Sequence, residues 1–402
     1  MNKLLILSVD YFPKIGGISL MTHHLANGFC QIGWDVTVVA PRDALVPADY
    51  KASYSLAVDF ESKPNCRANF SGLKERKRIF KYLSSLGRFD HILLLHPFYY
   101  GSAALEYARK SSTKISCYFH GFELNSQLIH RDKITQKVLG FLTNVKSLKQ
   151  LTLGLVKKVD FIFTNSSETA ELVRKVRTSN LYITGCGLDV DTVSEKLLSR
   201  RCLSQTGRGS LSGKTLGFIG RLVESKNVRF LLDLLRFLPD FSLIVVGTGP
   251  ERESLEERAL TLGVEKQVKW LGKVAEEDKW DAIDQMDLLC LPSRRLEGGQ
   301  VEGFGIVMLE ATLRGVPIAV SHEGGMKDFV LCNNGIYLDI KNKKNSAEVI
   351  SSFLADHDRV DRAVNNAQLL LTEKLTYKKI AKGICDVIEL DQVDSESQTI
   401  VA

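Results

Sequence analysis

Short apolar runs and stretches of helical periodicity alternate along almost the whole chain. In the first half, continuous apolar runs at residues 4–9, 35–40, 91–95, 114–119 and 161–165 predict strands, with a weaker one at 182–184. Between the first two, residues 18–32 form an amphipathic helix closed by Gly33, a residue type that ends helices readily. Strands that read as continuous apolar runs between helices predict a parallel sheet covered on both faces.

The pattern breaks at residues 194–214, which are polar, rich in Ser, Arg and Gly, and predict a linker. A second alternating unit follows. Its strands fall at 215–219, 242–246, 268–270, 288–291, 317–320 and 335–338, with helices at 227–238, 251–262, 279–285 and 307–314. The expected architecture is α/β: a first Rossmann-like domain over 1–193 and a second over 215–374. A crevice between them is the expected ligand site, because ligands bind outside the carboxyl ends of parallel strands. A last helix within 375–390 precedes a polar tail, 391–402, expected to be loose.

Composition narrows the class. The 402 residues are 44% hydrophobic and 25% charged, enough for two soluble cores. Asp10 ends the first apolar run and no small-residue cleavage site follows, so that run predicts a strand and not a signal peptide. The longest uncharged apolar stretch, 91–105, contains Pro97 and is shorter than the ~18 residues that suggest a span. A cytoplasmic protein is expected, with the inner face of the cell membrane as a second location. The eight cysteines form no C-x-x-C pair and are expected to be reduced and buried. His23 and His24 are adjacent on a helix and so point about 100° apart, a poor geometry for one ion. No metal or other cofactor is expected.

Candidate chemistry collects where strands end. The first strand leads into Gly16-Gly17 and a helix, a turn that lets an anionic ligand approach the backbone or is simply a tight turn. His120-Gly121 follows the strand ending at Phe119; the imidazole either meets a reacting sugar or caps local backbone groups. Arg221 and Lys226 share one strand-to-helix loop. Two cations there can converge on a diphosphate and stabilise its departure without a metal. Gly247-Thr248-Gly249 lacks the third glycine of a dinucleotide fingerprint, and Glu251 and Glu253 occupy the helix start, which argues against NAD. The most specific stretch runs from Glu297 to Ala311. Gly303 and Gly305 open a helix, Glu302 precedes it and is placed to accept from sugar hydroxyls, and Glu310 is placed about one and a half turns inside, for a ribose diol. Both carboxylates read as unpaired until a ligand meets them.

These residues resemble the large family of retaining GT-B glycosyltransferases defined by a Glu-x7-Glu motif, which Glu302 and Glu310 match in spacing. The resemblance covers nearly the whole chain and also takes in Gly16-Gly17, His120-Gly121, Arg221, Lys226 and Gly324-Gly325. It implies that Arg221 and Lys226 hold the donor diphosphate and Glu302 the donor sugar. It implies that Gly303 and the backbone of Phe304, Gly305 and Ile306 meet sugar and phosphate, and that Glu310 holds the ribose. His120 would line the reaction centre, Gly16 and Gly17 would approach phosphate and acceptor, and the base would lie near Gly272, Lys273 and Val274. It further implies retention of anomeric configuration and a C-terminal helix that crosses back to the N-terminal domain. Two positions depart from the family: Gly185-Cys186-Gly187-Leu188-Asp189 lacks its asparagine, and Asp328 stands nearest the place of a glutamate after Gly324-Gly325.

Charge is uneven. Residues 1–190 hold 25 Lys and Arg against 15 Asp and Glu, and the remainder 28 against 32. Lys74, Arg76, Lys77 and Arg78 form one basic cluster; Lys133 and Lys137 belong to a second, amphipathic one, close after Glu123. Such helices lie on anionic lipid or bury their apolar face in the core. The resulting expectation is a hexosyltransferase using a nucleotide diphosphate sugar and a glycan or lipid-linked acceptor, in lipopolysaccharide, capsule or exopolysaccharide assembly. No nucleic-acid partner is expected, since neither cluster carries an aromatic-rich stacking pattern or a known binding motif. A sugar-nucleotide epimerase and a non-catalytic nucleotide-sugar module are the competing expectations.

Overall fold

The computed structural model describes residues 1–13, 16–41, 43–48, 50–60, 73–95, 97–121, 153–189, 214–297, 299–330 and 333–390. Residues 194–213 of the linker expected over 194–214, the tail 391–402, Glu123, and the basic stretch containing Lys133 and Lys137 lie outside them, as does the Lys74 side chain; Lys214, the last linker position, instead opens a strand. Two compact units result: Met1–Gly187 together with the segment from Leu375 onward, and Leu188–Lys374.

In the first unit the chain runs β1 (Lys3–Leu7), α1 (Gly17–Gln31), β2 (Asp35–Pro41), β3 (Ser55–Phe60), α2 (Leu73–Ser85), β4 (His91–Leu94) and α3 (Pro97–Ser111). It continues through β5 (Lys114–Phe119), β6 (Phe161–Thr164), α4 (Ser167–Arg174) and β7 (Leu181–Ile183). The seven strands pair in parallel in the order β3-β2-β1-β4-β5-β6-β7. Along β1, Leu4 and Ile6 enter one buried cluster and Leu5 and Leu7 the other. A strand with two apolar faces needs helices on both sides, and that is why β1 reads as an unbroken apolar run.

The second unit runs β8 (Lys214–Ile219), α5 (Val228–Leu235), β9 (Phe241–Val246), α6 (Arg252–Leu262), β10 (Val268–Gly272), α7 (Glu276–Asp284) and β11 (Leu288–Leu291). It ends with α8 (Val307–Leu313), β12 (Ile318–Ser321), β13 (Ile336–Leu338), α9 (Lys343–Ala355) and α10 (His357–Lys374). Its six strands are parallel in the order β10-β9-β8-β11-β12-β13. Both sheets reverse winding direction once, between β1 and β4 and between β8 and β11. At such a switch point the loops leaving the carboxyl ends diverge and open a ligand site.

Helix α11 (Tyr377–Glu389) follows the second unit in sequence but packs in the first. Its apolar face, Tyr377, Ile380, Ala381 and Ile384, joins the cluster built on Leu4, Ile6 and Leu25. Two glycines make room for it. A Cβ on Gly28 of α1 would lie 2.6 Å from the Tyr377 carbonyl oxygen, and one on Gly187 would lie 2.8 Å from the Tyr377 nitrogen. Backbone cannot swing aside as a side chain can, so Gly28→Ala is expected to destabilise the first unit by about 1–3 kcal/mol. Urea unfolding followed by circular dichroism reads this as a lower midpoint.

The adjacent histidines of α1 serve different neighbours. The His23 Nδ1 lies 2.7 Å from the Tyr54 hydroxyl, whereas His24 stacks on Tyr377 at 5.6 Å between ring centroids. Among the described residues no helix is long and apolar enough to cross a membrane, and no group of His, Cys, Asp and Glu is arranged to hold a metal.

Candidate functional site

The loop after β8 carries Arg221 and Lys226, and the segment after β11 carries Glu302, so both flank the switch point of the second sheet. They are brought together by backbone contacts that fix each loop. Leu222 N–H donates to the Thr248 carbonyl at 2.9 Å, and Glu251 N–H to the Leu222 carbonyl at 3.1 Å. Gly249 permits that approach, since a Cβ there would lie 2.2 Å from the Leu222 carbonyl oxygen. The Gly247-Thr248-Gly249 turn is thus accounted for by seating the Arg221 loop. Farther along, Asn227 Nδ2 donates to the Pro292 carbonyl at 3.0 Å, and Arg294 N–H to the Ser225 carbonyl at 2.8 Å.

Gly324-Gly325 secures the other side. Gly325 N–H donates to the Glu302 carbonyl at 3.0 Å, and Gly324, at φ +78°, approaches so closely that a Cβ would lie 2.4 Å from that oxygen. The Glu302 backbone is therefore clamped, and its carboxylate meets the Lys226 ammonium in an ion pair. Burial, together with the Arg221 guanidinium, pushes Lys226 down to about 8. Arg221 itself is exposed and makes no ion pair among the described residues. The charge of Arg221 thus acts on Lys226.

Helix α8 begins at Val307, so Glu310 stands in its first turn and not one and a half turns inside. Neither carboxylate is unpaired, which corrects the expectation from sequence: Glu302 has Lys226, and Glu310 accepts from Lys279 Nζ at 2.9 Å. Burial raises the Glu310 carboxyl above its ordinary range, with Lys279 opposing it. Burial works against the Lys279 charge too, but Glu310 and Glu276 hold that ammonium above its ordinary value. One turn on, the fully buried Arg314 guanidinium grips the Asp284 carboxylate of α7, with Nε 2.6 Å from Oδ1. Two ion pairs thus lock α8 to α7.

The loop from Gly303 to Ile306 connects these parts. Phe304 is buried, Gly305 takes a positive φ of +85° that favours glycine, and the N–H groups of Phe304, Gly305 and Ile306 have no main-chain partner among the described residues. Gly272, at φ +67°, ends β10, and exposed Lys273 and half-buried Val274 lead into α7, the helix that carries Lys279.

In the first unit, Gly16 is the N-cap of α1 and Gly17 its first residue, both exposed. The Gly16 N–H already donates to Ser19 Oγ at 2.8 Å. His120, at the end of β5, has Nε2 3.1 Å from the Leu95 carbonyl. A carbonyl only accepts, so Nε2 carries the proton. Burial drives His120 down to about 4, against the Leu95 bond and the Asp10 charge, and keeps it neutral at neutral pH. Its own carbonyl accepts from Asn165 Nδ2 at 3.1 Å. The capping of local backbone weighed for His120 is therefore present.

The basic cluster on α2 is less basic than its sequence. Arg76 pairs with Glu106 of α3 at 2.7 Å and Arg78 with Glu75 at 2.8 Å, while Lys77 is exposed. Sequence reasoning missed Lys279, Asn165 and the Asp284–Arg314 pair. Lys279 alone left a trace, as the one cation in an otherwise acidic helix start, Glu276-Glu277-Asp278.

Two family matches accord with this arrangement. Residues 15–192 match Glycosyltransferase Family 4, and residues 209–370 match Glycosyl transferases group 1. Each half of the chain thus matches a glycosyltransferase family model, and the two parallel-sheet units have the GT-B fold. Over 184 residues it is 31% identical to an uncharacterized glycosyltransferase of Methanocaldococcus jannaschii, covering 44% of this chain and 45% of that one. Over 183 residues it is 30% identical to a GDP-mannose-dependent alpha-(1-6)-phosphatidylinositol monomannoside mannosyltransferase of Mycobacterium tuberculosis, covering 44% and 48%. The chain thus spans about half the length of the curated relatives it matches. HepE of Anabaena, solved in complex with UDP and glucose, shares the fold at a TM-score of 0.67 and 18% identity, over 97% of this chain and 100% of HepE.

Proposed function

We propose that this chain transfers a hexose-type sugar from a nucleotide diphosphate sugar to a glycan or lipid-linked acceptor, with retention and without a metal. The observation that carries this reading is the placement of Arg221, Lys226 and Glu302 at the carboxyl ends of β8 and β11. Two cations close enough to repel one another form a ready site for a diphosphate, whose charge grows as the glycosidic bond breaks. Glu302 then accepts from the sugar hydroxyls, Glu310 from the ribose diol, and the base lies along Gly272, Lys273 and Val274. His120, neutral and oriented by Leu95, is the group this reading assigns to the reaction chemistry from the first unit. The leaving phosphate guides the acceptor hydroxyl onto the same face, so configuration is retained.

The donor base stays open between the two relatives' chemistries, GDP-mannose in one and UDP with glucose in the other. The mycobacterial relative's phosphatidylinositol mannoside supports a lipid-linked acceptor, hence assembly of lipopolysaccharide, capsule or exopolysaccharide at the inner membrane face. Lys77, Lys133 and Lys137 would supply attraction to that surface. A thermal-shift screen of UDP-, GDP- and ADP-sugars should raise the melting temperature for one of them. Radiolabel from that donor should then pass to a lipid extract at an undiminished rate in EDTA. A sugar altered with no acceptor present would identify an epimerase instead.

A further inference from the structure

The clamp on Glu302 has a consequence for which nucleotide stays bound, and it rests on the donor-site reading above. The Lys226 ammonium and the Glu302 carboxylate are each mostly sheltered, with side-chain exposures of 21% and 15%, and each is the other's counter-ion. A phosphate oxygen and a carboxylate compete for the same ammonium, because both are anionic acceptors. A bare nucleoside diphosphate that takes Lys226 therefore strands Glu302 in a mostly sheltered place, because Gly324-Gly325 hold its backbone there. The intact donor differs in one respect. Its sugar hydroxyls replace the ammonium as hydrogen-bond donors to Glu302, so both halves of the broken pair find new partners.

We propose that Glu302 discriminates the intact sugar nucleotide from the spent diphosphate by returning to Lys226 once the sugar has left. The pair is an internal anion that refills the phosphate site and helps product leave. Crowding of Lys226 by Arg221 strengthens the pull on whichever anion is present.

The test is calorimetric titration of the full chain with UDP, GDP, UDP-glucose and GDP-mannose. Wild type should bind one sugar nucleotide more tightly than its parent diphosphate. In Glu302→Gln the parent diphosphate should bind roughly tenfold tighter, since no sheltered carboxylate is stranded, while the sugar nucleotide binds no better or weaker. Glu302→Ala should likewise tighten the parent diphosphate without tightening the sugar nucleotide, and serves if the glutamine variant does not fold. Simple removal of a negative charge would tighten both ligands equally; that result, or an unchanged diphosphate affinity, overturns the proposal and leaves the donor site standing. Wild type that binds none of the four overturns the donor-site reading and this proposal together.

Discussion

Lys226→Ala is expected to lower the rate of sugar transfer by about 10²–10³-fold, the usual loss when one preorganised group facing developing charge is removed. The substitution acts twice. It removes the ammonium that meets the departing diphosphate, and it leaves the Glu302 carboxylate in a sheltered loop with no cation opposite. Arg221 remains, but it is exposed at the lip of the loop and sees more solvent screening, so it replaces little of the lost charge. Steady-state turnover with the donor identified by thermal shift measures this. Transfer by Lys226→Ala within a few-fold of wild type would remove Lys226 from the reaction.

Asp284→Ala should be the most damaging change away from the reacting groups. Arg314 is 1% exposed, and with Asp284 gone its guanidinium stays in the core with no carboxylate, a loss of about 3–5 kcal/mol. The Arg314 Nη1 already has no acceptor among the described residues, so the charge has nowhere else to turn. Because Arg314 N–H also donates to the Glu310 carbonyl at 3.2 Å, loosening α8 displaces Glu310 from Lys279 as well. Urea unfolding should show the lower midpoint. The double change Asp284→Leu with Arg314→Met, which leaves no charge behind, should recover most of it.

Much of the scaffold was legible because its central strands are buried on both faces and therefore unbroken in apolarity, as at Leu4–Leu7 and Leu288–Leu291. The strand Ser55–Phe60 escaped notice. It is an edge strand, bonded on one side only, and its serine and aspartate interrupt the apolar signal. Within the site, Arg221, Lys226, Glu302 and Glu310 stood out by spacing at strand ends. What spacing does not carry is who neutralises whom. Lys279 is 31 residues from Glu310 and sits where a lysine reads as a surface partner for Glu276. Arg314 is only the last position of the helix expected over 307–314, and its burial is what shows that it ties α8 to α7. Gly28, within the helix expected over 18–32, and Gly187 are the sequence traces of the contact with Tyr377.

That contact also sets an order of synthesis. Gly28 and Gly187 leave the ribosome well before Tyr377, roughly 17–70 s and 10–40 s earlier at ordinary elongation rates. Through that interval the face of the first unit that α11 will cover, Leu4, Ile6 and Leu25 among it, has no lid of its own. The second unit, continuous from Leu188 to Lys374, is complete before the first one is. A nascent chain of this kind holds its earliest-made domain open until the later one has emerged, and truncation within Tyr377–Glu389 would injure the end of the molecule made first.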